Sequence, residues 1–265
     1  MNKSKLLPAI HPNAGIEAWY RRKLLKLIDE MARSYLWFVR AAYKANEPAI
    51  LAVDASPTDE LKAALKKLSD RWYDRFDDVA QILADHFAQD IGERSDAALK
   101  AALRKAGFTV KFKLTAVQRD ILKASVQQSV SLIKSIPDQF HDQVEGSVMR
   151  AVQVGGDLGS LTKELQAHHG VTRRRAAFIA RDQNNKAHAA LLRSRQLEIG
   201  ITEAIWVHSA GGKVPRPSHV KAGRDQVRFN VAKGWWDPDE EAWVLPGELI
   251  NCRCVSRPII PGLDT

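Results

Sequence analysis

The sequence predicts an α+β protein, a mainly helical N-terminal region followed by a small α+β domain. Three observations carry that expectation. Through the first half, apolar residues recur at spacings of three and four, the period of an amphipathic helix. A long helical pattern returns from Arg173 to Ile199. Beyond Gly200 it gives way to short strand-like runs separated by long stretches rich in Gly, Pro and Trp, the pattern of strands and connections.

In chain order, Ile16, Tyr20, Leu24, Ile28, Met31, Tyr35, Phe38 and Ala42 form one apolar stripe and predict a long first helix. Pro48 and Asp54-Ala55-Ser56-Pro57 interrupt it. Ser56 or Thr58 suits the cap of the next helix, with Pro57 in its first turn. Leu61, Leu65, Leu68, Trp72, Phe76, Val79, Leu83 and Phe87 carry that helix to about Gln89. A shorter helix is expected from Asp96 to Lys105, closed by Gly107 in the left-handed conformation. Phe108 to Leu114 alternates apolar and polar residues, which suits a strand or an extended linker. Thr115 and Gln118 form a capping box for a helix reaching about Ile136, and Pro137 starts another that carries Val144, Val148 and Val152. Gly155-Gly156 marks a break, and the domain boundary is placed there: a helical region over 1–154 and a second domain over 155–265. Leu158 to His168 reads as a short helix stopped by Gly170. Thr172 caps the helix from Arg173, and Gly200 ends it. Ile201 to His208 and Cys254 to Ile260 read as strands.

Composition narrows the function classes. The 265 residues fit one large or two small domains. With 45% hydrophobic and 27% charged residues the chain is expected to fold. Two cysteines cannot build a secreted disulfide framework. No run approaches the ~20 apolar residues that span a bilayer, and the start, Met1 to Pro8, has no continuous apolar core of a signal peptide. A soluble protein of a reduced compartment is expected. Forty Lys+Arg against 31 Asp+Glu leave a net charge of +9, which points to an anionic partner such as nucleic acid or to a merely basic surface.

Gly-x-Gly-x-x-Gly, the phosphate-loop pattern, Gly-x-Ser-x-Gly and His-Glu-x-x-His are absent. The clearest chemical signal is Asn251-Cys252-Arg253-Cys254. Its cysteines share one face of an extended chain, and a disulfide between such close neighbours is strained. Buried apolar thiols, two ligands of a zinc site and a redox pair remain open; for zinc, His219 is the best third candidate and His208 the next. Arg181, Asn185 and His188, at i, i+4 and i+7, share a helix face suited to binding backbone carbonyls of the following loops. In Lys213 to Val220 two prolines stiffen a loop carrying Arg216, Ser218 and His219. Arg173, Arg174 and Arg175 open a basic helix. Trp235, Trp236 and Trp243 either anchor a long loop or face a partner.

Taken together, Ile179-Ala180-Arg181-Asp182-Gln183-Asn184-Asn185, Gly200-Ile201, Trp206, Arg216-Pro217-Ser218-His219 and Pro246-Gly247-Glu248-Leu249-Ile250-Asn251-Cys252-Arg253-Cys254 resemble the phage head morphogenesis domain. This is the Mu F type of minor head protein of tailed phages and prophages, and the resemblance runs over roughly 156–260. It implies a structural, non-enzymatic minor capsid component that assembles in the host bacterial cytoplasm and ends inside the head. Its implied partners are the portal and other capsid or scaffold proteins. Packaged double-stranded DNA is a non-specific neighbour, met by Arg173, Arg174, Arg175, Lys213 and Arg216; no membrane and no small-molecule substrate are expected. Many relatives carry Cys-x-x-Cys at the positions of Arg216 to His219, which with the later pair makes a four-cysteine zinc site. Here Arg216 and His219 replace those cysteines, so the set that remains is His219, Cys252 and Cys254, one ligand short. The rival expectation is a phosphodiester-directed, nuclease-like enzyme using Arg181, His188, Arg216 and His219. A DNA-binding regulator finds no helix-turn-helix, ribbon or zinc-finger pattern to support it.

Overall fold

A computed structural model describes residues 5–45, 57–154 and 157–260. The interruption at Pro48, the Ser56 cap and the Gly155-Gly156 break lie outside the described residues. Four long helices dominate: α1 (Ala14–Ala45), α2 (Pro57–Lys105), α3 (Ala116–Val154) and α4 (Leu158–Glu198). A short β1 (Lys5–Leu6) precedes them; β2 (Glu203–Val207), α5 (Pro217–Arg224), β3 (Arg228–Asn230), β4 (Trp235–Asp237), β5 (Ala242–Val244) and β6 (Val255–Ile260) follow. This is the helical region and small α+β part that the sequence predicts.

Several helix ends follow from local chemistry. Asn13 caps α1, its Oδ1 accepting from the amides of Gly15 at 2.8 Å and Ile16 at 3.2 Å. At α3 the capping box is complete: Gln118 N donates to Thr115 Oγ1 at 3.3 Å, and Thr115 N donates to Gln118 Oε1 at 3.1 Å. Gly107 and Gly200 have φ of 95° and 78°. Each closes its helix with paired bonds, Phe108 N to Leu103 O with Gly107 N to Arg104 O, and Ile201 N to Gln196 O with Gly200 N to Leu197 O.

The helices are longer than local signals suggest. The expected stop near Gln89 does not occur, and α2 continues through Gly92, with Ile91, Ser95 and Leu99 buried around it. Pro137 lies inside α3 rather than opening a new helix. It costs one main-chain bond, but buried Ile133, Ile136 and Phe140 hold the helix on both sides of it. Gly170 does not stop α4, and Thr172 is no cap: its hydroxyl donates back to His168 O at 2.9 Å in mid-helix. The cap of α4 is Asp157, whose Oδ1 accepts from Ser160 N at 2.9 Å. Arg173 to Arg175 therefore sit within α4, not at a helix start. Phe108 to Leu114 forms no strand and runs as an extended connection.

The chain forms two compact units, Met1–Ala18 with Asp85–Val126 and Ala180–Thr265, and Trp19–Ala84 with Gln127–Ile179. Neither is a contiguous segment such as 1–154 or 155–265. The described elements of the second unit are helices, with Tyr20, Leu24, Ile28, Met31, Tyr35, Phe76, Phe140 and Val144 fully buried; the Tyr35 and Phe140 rings meet edge to face at 5.2 Å. The first unit holds the sheet, in order β1-β6-β2-β3 with antiparallel β1–β6, β6–β2 and β2–β3 pairs, and the β4–β5 ribbon. One cluster joins Leu7, Ile10, Leu99, Leu103, Leu192, Ile201 and Ile260. Another joins Trp206, Phe229, Val231, Val244, Cys252 and Cys254.

Candidate functional site

The site lies in the first unit, where the chain passes from Pro246 to Cys254. Two parts of the chain, the residue ahead of α5 and one face of α4, hold three consecutive residues of this passage. Arg216, ahead of α5, donates to Ile250 O at 3.2 Å and pairs with Glu240 at 2.7 Å. Asp182 of α4 accepts from Asn251 N at 2.6 Å, and Arg181 donates to Asn251 Oδ1 at 3.1 Å. Asn185, one turn on, donates to Cys252 O at 3.1 Å. Asn251 has φ of 58°, left-handed backbone that asparagine tolerates better than most residues. On this face of α4, Asn185 reaches a main-chain carbonyl of the passage and Arg181 reaches the side-chain amide of Asn251.

Beyond that clamp the chain turns two thiols inward. Cys252 and Cys254 are both 4% exposed, and they precede β6 rather than belonging to it. Pro217 opens α5 and places His219 in its first turn. His219 Nδ1 lies 3.6 Å from Cys252 Sγ and 3.7 Å from Cys254 Sγ. The three donor atoms all fall within 4.8 Å of one another. The Gly247 amide donates to Cys252 Sγ at 3.4 Å. On the far side of the ring, Nε2 lies 3.1 Å from Oδ2 of the fully buried Asp237, without its N–H aligned on that oxygen. Asp237 accepts from Ser218 Oγ at 3.1 Å and Asp239 N at 2.9 Å. Trp206 packs on the imidazole at 4.9 Å between ring centres. The hydrogen bond from the Cys254 thiol, with the His219 ring and the Gly247 amide, draws the Cys252 pKa down against the effect of burial. Cys254 is pushed up, first by that bond to Cys252 and then by burial. Two soft sulfurs and one imidazole nitrogen are the donor set of zinc-class ions, so the residues fit such an ion.

The remaining expected residues go elsewhere. His188 Nε2 meets Ile10 O at 3.1 Å and its Nδ1 meets Ser95 Oγ at 2.8 Å. Burial lowers its pKa to about 4, so the ring is neutral. Of the four residues of the rival expectation, Arg216, Arg181 and His219 meet the consecutive residues Ile250, Asn251 and Cys252, whereas His188 lies apart between Ile10 and Ser95. In the second unit Arg173 and His169 bind Asp29, and Arg175 donates to Ser135 Oγ at 2.8 Å. Burial raises the Asp29 pKa, and those two bonds outweigh it and leave the group lowered. Arg174 and Lys213 are exposed. Trp235 packs inward on Trp206 at 5.6 Å, whereas Trp236 and Trp243 pair across the ribbon in the open. Sequence reasoning did not single out Asp182 or Asp237. Asp182 lies between Arg181 and Gln183 in the quoted motif, and Asp237 lies among the tryptophans; nothing in their spacing marks either as a partner of the cysteine passage.

Residues 142–257 match the family model described as Phage Mu protein F like protein. The chain carries a Mu F like region. That region includes α4, His219, Asp237 and both cysteines. The chain is also 30% identical over 252 residues to a protein of Haemophilus influenzae (strain ATCC 51907 / DSM 11121 / KW20 / Rd) described as "Uncharacterized protein". The match covers 92% of this chain and 53% of the relative, so the chain spans about half the length of the curated relative it matches. No solved structure matches.

Proposed function

We propose that this protein is a structural minor head component of a tailed phage or prophage, acting in head assembly near the portal. The observation that carries the reading is the Mu F like match over 142–257, a family of head morphogenesis proteins. The geometry agrees with a structural role. The polar residues of the matched region bind backbone and fix loops, and none of the described helices is long and apolar enough to cross a membrane. Other capsid or scaffold proteins are its partners during assembly in the host cytoplasm, and the interior of the head is its final place. Net charge of +9 suits a non-specific, salt-sensitive contact with packaged DNA, for which Arg174 and Lys213 are available.

The test is co-expression with the portal and major capsid proteins of the same phage, followed by sedimentation of procapsids. Low-copy co-sedimentation with portal-containing particles is the expected result. If procapsids form normally and the chain stays free as a soluble monomer, the reading fails. For the DNA contact, affinity of the intact chain for duplex DNA is expected to fall steeply between low and physiological salt; no binding at low salt would remove that part.

A further inference from the structure

A cavity of about 230 Å³ lies in the first unit, walled by α4, β3, β6 and the turn from Leu245 to Glu248. His219 and Asp237 are not among its walls. Ala189 and Ala190 of α4 leave the space open, while Ile10, Leu192, Phe229 and Val231 make its floor apolar. The walls are fixed. A Cβ on Gly247, whose φ is 84°, would come within 2.8 Å of Ala189 Cβ, so the turn lies directly on α4. Leu245 N donates to Glu248 Oε2 at 2.9 Å and Gly247 N to Cys252 Sγ at 3.4 Å. A preformed apolar cavity with a few polar groups is the common form of a ligand site.

Charge at the rim selects the kind of ligand. Lys186, Ala189, Ala190 and Arg193 stand at i, i+3, i+4 and i+7 and so share one face of α4. Lys186 is neutralised by Asp182 at 2.8 Å. Arg193 is half-buried and makes no side-chain hydrogen bond or ion pair with a described residue. A guanidinium keeps its charge and presents a planar fork that fits a carboxylate. Glu248 is the one carboxylate of the described walls; it is exposed and accepts from the Leu245 amide. A cation set half out of water beside an apolar floor, with no acid of its own, is matched by an acid that enters with the ligand.

Volume limits the ligand's size. An apolar cavity of about 150 Å³ holds benzene, so this one takes a single ring or branched chain with a short acidic arm and is too small for a nucleotide or a long acyl chain. We propose that the cavity binds a compact apolar group bearing one carboxylate, with Arg193 as the partner of that carboxylate. Two sources supply this chemistry: a small free acid, and the C-terminal residue of a polypeptide, whose main-chain carboxylate lies beside an apolar side chain. The second would make the cavity a docking point for an assembly partner. The inference rests on the cavity and not on the assembly role.

The experiment is an amide chemical-shift titration of the full chain. The probes are 3-phenylpropanoate, its neutral amide, and a pentapeptide ending in phenylalanine as the free acid and as the C-terminal amide. Saturable shifts centred on Ala189, Phe229 and Val255 are expected for at least one acid, with the matching amide weaker by about 10–100-fold. Arg193→Gln should weaken the acid by a similar factor and leave the amide unchanged. Ala190→Leu fills the cavity and should abolish binding of every probe. If that variant does not fold, the comparison of acid with amide on the wild-type chain decides alone. Saturation by 3-phenylpropanoate and not by the peptide assigns a small free acid; saturation by the peptide at lower concentration assigns a polypeptide end. No shifts at these amides with either acid, or equal affinity for acid and amide, overturns the proposal and leaves the procapsid test unaffected.

Discussion

At the scale of single residues, buried polar groups define this protein more than its exposed charge does. His188 is 3% exposed, held between Ile10 O and Ser95 Oγ. Its folded pKa is about 4 against an ordinary 6.5. Between those values the unfolded chain binds a proton that the folded chain refuses. The ring's contribution is therefore complete above about pH 6.5 and is lost progressively as pH falls toward 4. At pH 5 the loss is about 2 kcal/mol. Urea midpoints at pH 7 and pH 5 should differ less in His188→Gln than in the wild type, and equal differences would refute the assignment. Arg195 is the second case. It is 5% exposed and grips Asp96 through two bonds of 2.7 and 2.6 Å, with further bonds to Lys113 O and Glu198. Phe112 lies 4.6 Å beneath its guanidinium. Arg195→Ala should cost roughly 3 kcal/mol by denaturant unfolding, because it strands Asp96 and frees the extended connection; Arg195→Lys should recover only part, since it lacks the fork. The candidate site was legible in residue type, since Cys252, Cys254 and His219 stand out by chemistry alone. Asp237 was not, because a lone aspartate in an acidic, tryptophan-rich stretch carries no spacing that ties it to a histidine 18 positions earlier.

At the scale of elements, the sequence marks helix ends well where a side chain or a glycine makes the bond. Thr115, Gln118, Gly107 and Gly200 all act as their local chemistry predicts. Thr115→Ala removes the cap on Gln118 N and should cost about 1 kcal/mol in thermal or chemical unfolding; an unchanged stability would mean the box is idle. Breaks inside helices are read less well. A mid-helix glycine costs about 1 kcal/mol and a proline about 3, and buried neighbours outweigh both. Leu99 and Ile91 flank Gly92, and Ile133, Ile136 and Phe140 flank Pro137. Tertiary burial of this kind is invisible to a local reading. The β4–β5 ribbon shows the opposite case. Gly234 has φ of 93°, and a Cβ there would strike the Val244 carbonyl. Gly234→Ala should destabilise the chain by about 2 kcal/mol or more, and should loosen the ribbon that carries Asp237, seen as faster amide exchange at Trp235 to Val244. Wild-type exchange there would show that the turn does not need its glycine.

At the scale of the whole molecule, the family-matched stretch and the compact units do not coincide. The match spans 142–257, while the unit that holds the cysteines also draws on Met1–Ala18 and Asp85–Val126. The reason is physical. β1 supplies Lys5 and Leu6 as partners of Ile260 and Ile259 on an edge of β6. Leu7, Ile10, Leu99, Ala102 and Leu103 close the apolar cluster over Leu192, Ile201 and Ile260. Ser95 and Asp96 satisfy His188 and Arg195. A fragment of residues 155–265 would keep the cysteines and the sheet strands from β2 onward but leave these groups bare. Losing several large buried contacts costs about 2–5 kcal/mol each, and a buried arginine without its carboxylate adds about 3–5 kcal/mol. The total reaches the 5–15 kcal/mol that usually holds a domain together. The fragment should therefore lack a cooperative thermal transition and show narrow amide dispersion, whereas the full chain should show both a sharp transition and dispersed resonances. Adding residues 1–126 as a separate polypeptide should restore cooperative unfolding if complementarity across Leu99, Leu103, Asp96 and β1 governs folding. A fragment 155–265 that unfolds cooperatively on its own would show instead that the matched region carries its own core.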